Sequence, residues 1–195
     1  ACGLVLMAEP LNATLYQYGR FTEFDTRMAA LSLMGLSIGL PGFMLAKVLA
    51  PAFYARQDTR APVRAAVLTV IANLALMAAI TGFLAWRGVE GAHAGIALAT
   101  ALAGTLNAVL LWRALGREGT HRPSPGWPRF LSRTALASLA MVGFLLWARH
   151  EVGAWSALAP AWRVIHLAWI VAGSAAIYAV ALLAMGMRPR HLREE

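Results

Sequence analysis

Apolar residues run through this chain in long blocks separated by short polar stretches, with little of the one-sided periodicity of a soluble amphipathic helix. A helix needs about 20 predominantly apolar residues to cross a bilayer. The blocks therefore predict an all-α, polytopic transmembrane helix bundle: a half span followed by five full spans. The predicted spans are residues 26–54, 62–86, 92–115, 130–148 and 164–187. Residues 1–16 are too few to span alone and read as the second half of a helix, with Glu9 and Pro10 near its exit. The chain opens on Ala1 inside an apolar run with no basic n-region. A signal peptide is not expected there, and the chain reads as a fragment cut within a transmembrane helix.

The most informative block is residues 35–64, GLSIGLPGFMLAKVLAPAFYARQDTRAPVR. Gly35, Gly39, Gly42 and Ala46 follow one another at steps of four and three, a stripe of small residues that lets another helix approach closely. Asp25 or Thr26 is placed to cap the start of this helix. Pro41 and Pro51 each remove a backbone hydrogen bond and can kink it. Broken helices are common where transporters bind or bend, which makes Gly39, Pro41, Gly42 and Pro51 candidate hinge positions. Lys47 sits within the same apolar run, about 100° round the wheel from Ala46 and off the small stripe. An ammonium at the bilayer centre costs roughly 3 kcal/mol on insertion scales. Lys47 lies nine residues before Arg56, roughly 13 Å of helix from the charged turn, which is long for one side chain to snorkel. Two readings stay open: a structural lysine that snorkels or pairs with a carbonyl, and a cation in a polar cavity that meets an anionic substrate group.

The next two spans each carry a small polar face, Thr69 with Asn73 and Thr100 with Gly104 and Asn107. Interhelical hydrogen bonding, worth about 0.6 kcal/mol per contact, accounts for them. The alternative is a small-cation site. It is disfavoured because neither face has a carboxylate and a hard cation usually takes at least one.

Charge sets the expected orientation. Arg56, Arg60, Arg64, Arg113, Arg117, Arg122, Arg129, Arg133, Arg188, Arg190 and Arg193 fall on one side of the predicted spans. Arg20, Arg27, Arg87, Arg149 and Arg163 fall on the other. The richer side should be cytoplasmic, together with the turn at residues 56–64, the Gly- and Pro-rich linker at 116–127 and the C-terminus. Ordinary positive-inside anchoring explains the arginines of that turn. Contact with anionic headgroups is the functional alternative. Aromatic residues between 16 and 24, and Trp155 and Trp162, are placed to sit at the membrane interface. The domain organisation expected is residues 1–115 as part of a transmembrane lobe, 116–129 as a cytoplasmic linker, and 130–195 as a final helix pair with a cytoplasmic tail.

Composition narrows the chemistry. Of 195 residues, 59% are hydrophobic and 13% charged, against about 25% charged in soluble domains. The net charge of +8 does not point to nucleic acid, since the basic residues lie in short loops. One cysteine, Cys2, excludes an internal disulfide framework. The five histidines show no metal-ligand spacing, and every carboxylate lies in a loop, at a helix end or in the tail. No HExxH, GxSxG or phosphate-cradling glycine loop occurs. An enzyme, a cofactor and a bound metal are not expected.

The run from Lys47 to Val63, KVLAPAFYARQDTRAPV, resembles the signature of the MurJ (MviN) lipid II flippases. So do residues 15–22, LYQYGRFT; Leu106-Asn107-Ala108; and Pro125-Gly126-Trp127. The likeness covers essentially the whole chain. It implies the multidrug/oligosaccharidyl-lipid/polysaccharide exporter fold of fourteen transmembrane helices in two lobes. This chain would be the C-terminal part, from the middle of helix nine through helix fourteen, and the N-terminal half would be a partner within the same protein. The resemblance further implies a non-enzymatic flippase in the bacterial inner membrane. It would move lipid II, an undecaprenyl-pyrophosphate-linked disaccharide peptide, from the cytoplasmic to the periplasmic leaflet by alternating access, among membrane lipids. Lys47, Arg56 and Arg60 become candidate substrate-binding residues, and the last helix pair would offer a groove to the undecaprenyl tail. Some family members bind sodium through an Asn and an Asp one turn apart. Here Asn73 stands at the first position and Met77 at the second, so that pair is incomplete. The alternatives are a related lipid-linked oligosaccharide or drug exporter, and a non-transporting membrane scaffold for cell-wall synthesis.

Overall fold

The computed structural model describes residues 1–88, 92–117, 126–153 and 155–186. Every regular element among them is helical: α1 (Cys2–Leu6), α2 (Ala8–Tyr16), α3 (Glu23–Tyr54), α4 (Arg60–Trp86), α5 (Ala92–Arg117), α6 (Trp127–Val152), a 3-10 turn (Trp155–Ala157) and α7 (Pro160–Ala184). Five of them, α3 to α7, are long and apolar enough to cross a membrane. Most of the linker expected at 116–127, part of the turn after Trp86 and the tail after Gly186 lie outside the described residues.

Several helix ends differ from expectation for local reasons. The opening segment is two short helices rather than one, with the break at Met7. Pro10 has no amide hydrogen for the Leu6 carbonyl four residues back, and its ring crowds that carbonyl, so the helix parts there. α3 starts at Glu23, earlier than expected, because Thr22 caps it rather than Asp25 or Thr26. The Asp25 carboxylate accepts from the Thr22 amide (2.8 Å) and hydroxyl (2.7 Å), and the Asp25 amide donates weakly back to the Thr22 Oγ1 (3.3 Å). This is a capping box of the T-x-x-D kind. Pro41 and Pro51 stand inside α3 without interrupting it.

The chain divides into two compact units. The first holds Ala1, Gly3–Ala8 and Arg27–Arg122, that is most of α1 and α3 from its second turn with α4 and α5. The small stripe on α3 meets α5. A β-carbon on Gly35 would stand 3.2 Å from the Cβ of Ala97, on Gly39 2.5 Å from the Cα of Ala101, and on Gly42 2.7 Å from the Cα of Thr105. The close approach expected of that stripe is present, and its partner is α5. Below it Leu49 and Phe53 of α3, Ala65 of α4, and Leu111 and Leu115 of α5 form a buried cluster, against which Ala46, Ala61 and Ala114 pack. Gly95 of α5 lies against Ile80 and Leu84 of α4, and Ala65 of α4 clusters with Leu111 and Leu115 of α5, so α4 and α5 run antiparallel.

The second unit holds Glu9–Thr26 and Pro123–Glu195, hence most of α2 with the α6–α7 hairpin. The ring of Phe144 lies 2.8 Å from where a Gly173 β-carbon would be, and it meets Trp169 edge-on at 5.9 Å. Ala137, Leu145 and Ala148 of α6 and Ile170 of α7 are buried. Gly153 ends α6 at φ 66°, a left-handed conformation that glycine adopts without a steric penalty.

Candidate functional site

Lys47 is an exposed residue on α3. The stripe of Gly35, Gly39 and Gly42 is turned to α5, and Leu49 and Phe53 are turned into the core. The lysine is therefore on a face that no element of its own unit covers. Pro51, also exposed, follows one turn later. It has no N–H to give, so the Lys47 carbonyl lacks its usual helical donor. A cationic donor and a backbone acceptor thus share one spot within a membrane-length apolar helix.

The turn after α3 is built tightly. The amide of Asp58 donates to the Phe53 carbonyl (3.1 Å) and that of Gln57 to the Tyr54 carbonyl (3.0 Å), with Gln57 left-handed at φ 58°. This is a Schellman close with glutamine where glycine is usual. Asp58 then starts the next helix, since its Oδ1 accepts from the amides of Arg60 (2.9 Å) and Ala61 (3.3 Å). The one carboxylate of the turn is spent on backbone amides, and the side chains of Arg56, Arg60 and Arg64 are exposed. Guanidinium groups displayed in this way suit phosphate oxygens. Lys47 and Arg56 are not brought together; about 13 Å of helix separates them.

The candidate hinge residues Gly39, Pro41, Gly42 and Pro51 all lie within the continuous α3, the two glycines at close contacts with the α5 backbone. Of the polar faces, Thr69 Oγ1 donates to the Ala65 carbonyl (2.7 Å) and Thr100 Oγ1 to the Ile96 carbonyl (2.9 Å), each within its own helix. No hydrogen bond joins Thr69, Asn73, Thr100 and Asn107. Asn73 keeps a buried Oδ1 with no partner among the described residues.

A second polar cluster was not anticipated from the sequence. In the second unit Arg163 is buried; its Nε donates to the Leu158 carbonyl (2.9 Å) and its Nη1 to the Ala13 carbonyl (3.3 Å) and the Gln17 Oε1 (3.5 Å). Trp155 is buried too, and its Nε1 donates to Thr14 Oγ1 (3.0 Å). Arg149 pairs with Glu9 at 2.9 Å. Arg163 left one readable signal: a cation in the first turn of a helix opposes the macrodipole and calls for acceptors nearby. Trp155 left none, since its partner is 141 positions away.

Five membrane-length helices, with an ionisable side chain and two prolines inside one of them, define a multi-pass helical membrane protein. Comparison with known proteins narrows this. The sequence model of the family described as "Lipid II flippase MurJ" matches residues 1–173. Among similar proteins, "Probable lipid II flippase MurJ" of Vibrio cholerae is 34% identical over 98% of this chain and 35% of its own length. "Lipid II flippase MurJ" of Burkholderia cenocepacia is 33% identical over 99% of this chain and 36% of its own. The chain belongs to the MurJ lipid II flippase family, and it spans about a third of the length of these curated relatives, 35% and 36%.

Proposed function

We propose that this chain is the part of a lipid II flippase that supplies one flank of the substrate path, in a protein that moves lipid II from the cytoplasmic to the periplasmic leaflet by alternating access. The observation that carries the reading is the family match over residues 1–173, together with relatives named as lipid II flippases that align along nearly the whole chain. The protein is a transporter rather than an enzyme, and it sits in the bacterial inner membrane with the arginine-rich side, including the C-terminus, in the cytoplasm. Lys47 adds positive potential to the path, and Arg56 and Arg60 meet the pyrophosphate or lipid headgroups at its cytoplasmic end. Pro41 and Pro51, with Gly39 and Gly42, let α3 bend as the protein cycles. The α6–α7 pair offers an apolar flank to the undecaprenyl tail. The exposed position of Lys47, on α3 but off its packing stripe, supports its part in this scheme.

The test is growth rescue. Expression of the full-length protein that carries this sequence should restore growth to cells depleted of their own flippase and should restore exposure of lipid II on the outer leaflet. Rescue of neither, by a protein that reaches the membrane, would leave an exporter of another substrate or a scaffold.

A further inference from the structure

We propose that the face of α2 carrying Glu9, Ala13 and Thr14, extended by Gln17, is a latch plate that makes α2 and the α6–α7 hairpin move as one body. Three successive parts of the hairpin each contribute a contact to it. The last turn of α6 contributes Arg149 to Glu9, the 3-10 turn contributes Trp155 to Thr14, and the first turn of α7 contributes Arg163 to Ala13 and Gln17. Contacts confined to one arm would let the hairpin swivel. Contacts from both arms and the turn between them fix it in position and in rotation.

The three contacts differ in strength. Glu9 and Arg149 keep side-chain exposures of 42% and 40%, so water and salt screen the pair and it adds little. Trp155 is the middle case: a buried indole N–H needs its acceptor, and Thr14 is itself held, its hydroxyl donating to the Pro10 carbonyl at 2.7 Å. Arg163 is the strong point. Burying its guanidinium is tolerable only while acceptors surround it. Two of the acceptors named here belong to the α2 segment and one, Leu158, to the approach to α7. Moving α2 away from the hairpin would strip the buried cation of both. α2 depends on the latch in turn, since a nine-residue helix is marginal without tertiary partners. The grouping of Glu9–Thr26 with the hairpin in one compact unit agrees with this.

Hydrogen–deuterium exchange on the intact protein in lipid nanodiscs tests the proposal. The readout involves no transport, so it is independent of the activity proposed above. Arg163→Met should accelerate exchange by about tenfold or more in residues 8–16 as well as around residue 163, because both ends of the contact open together. Trp155→Phe, which keeps an aromatic ring but loses the donor and part of the ring volume, should loosen the same two segments to a smaller extent. Glu9→Gln should stay within about twofold of the parent, and α4 and α5 should be unchanged throughout. Acceleration around residue 163 with residues 8–16 still protected would overturn the latch. Should Arg163→Met fail to fold, parent-like exchange in both segments of Trp155→Phe would overturn it equally.

Discussion

A β-carbon added to Gly39 would stand 2.5 Å from the Cα of Ala101, closer than a side-chain carbon approaches another backbone. Gly42 and Thr105 repeat the relationship one step along, at 2.7 Å. Here α3 and α5 touch backbone to backbone, and dispersion over that contact replaces the hydrophobic drive that lipid does not provide. Gly39→Ala should therefore push the helices apart and cost about 1–3 kcal/mol, the usual range for overpacking. Gly82→Ala is the control, because nothing lies within 4 Å of a β-carbon there. It should be neutral or stabilise by up to about 1 kcal/mol. Thermal unfolding of the detergent-solubilised protein reads both, and a parent-like Tm for Gly39→Ala would contradict the α3–α5 packing.

The turn between α3 and α4 makes opposite predictions at adjacent residues. Gln57 holds a left-handed φ of 58°, which costs a side-chain-bearing residue roughly 1–2 kcal/mol. Gln57→Gly should raise the Tm, less the entropy that glycine returns to the unfolded chain. Asp58→Ala should lower stability by about 1 kcal/mol, since the amides of Arg60 and Ala61 lose their acceptor. If both variants keep transport, the turn acts as a scaffold for its arginines and its backbone plays no further part.

The contrast between this turn and the α2 latch shows what could be read in advance. The five spans were legible because a bilayer demands long apolar runs, and the approach face of α3 was legible because only small residues allow close contact. The α3 cap was legible in principle, in Thr22-Glu23-Phe24-Asp25, but the neighbouring acidic and hydroxyl residues competed for the role. The break at Met7 follows from Pro10, although Pro41 and Pro51 leave α3 continuous, so a proline marks a weak point whose outcome packing decides. The ties of Arg149, Trp155 and Arg163 to α2 bridge 140 or more positions and leave no local periodicity.

Asn73 offers a test of what lies beyond the described residues. Its Oδ1 is buried and unpartnered among the described residues, and such an atom costs roughly 1–3 kcal/mol. Asn73→Leu, close in volume, should hold or raise the Tm of the full-length protein. A loss of more than about 1 kcal/mol of stability would reveal a hydrogen-bond partner contributed from outside the described residues. Thr69→Val should be nearly silent in either case, because the Thr69 hydroxyl is satisfied by its own helix.

Lys47 should separate stability from activity. A structural lysine and a substrate-facing lysine both lose something on truncation to alanine, so Lys47→Met is the sharper variant: it keeps an apolar stem of similar length and removes the charge. Within the bilayer that change relieves a cost of about 2.5–3.5 kcal/mol at mid-span, so the variant should insert and resist heat at least as well as the parent. If the ammonium meets an anionic group of the substrate during the rate-limiting step, losing a charge-assisted hydrogen bond worth about 1.5–3 kcal/mol should slow flipping by roughly 10- to 100-fold. Lys47→Arg keeps the charge and should retain most of the rate. A lipid II accessibility assay on the three variants, paired with Tm, checks the combination. A protein that is more stable and slower is the signature of a functional cation, whereas a parent-like rate for Lys47→Met would remove Lys47 from the transport path.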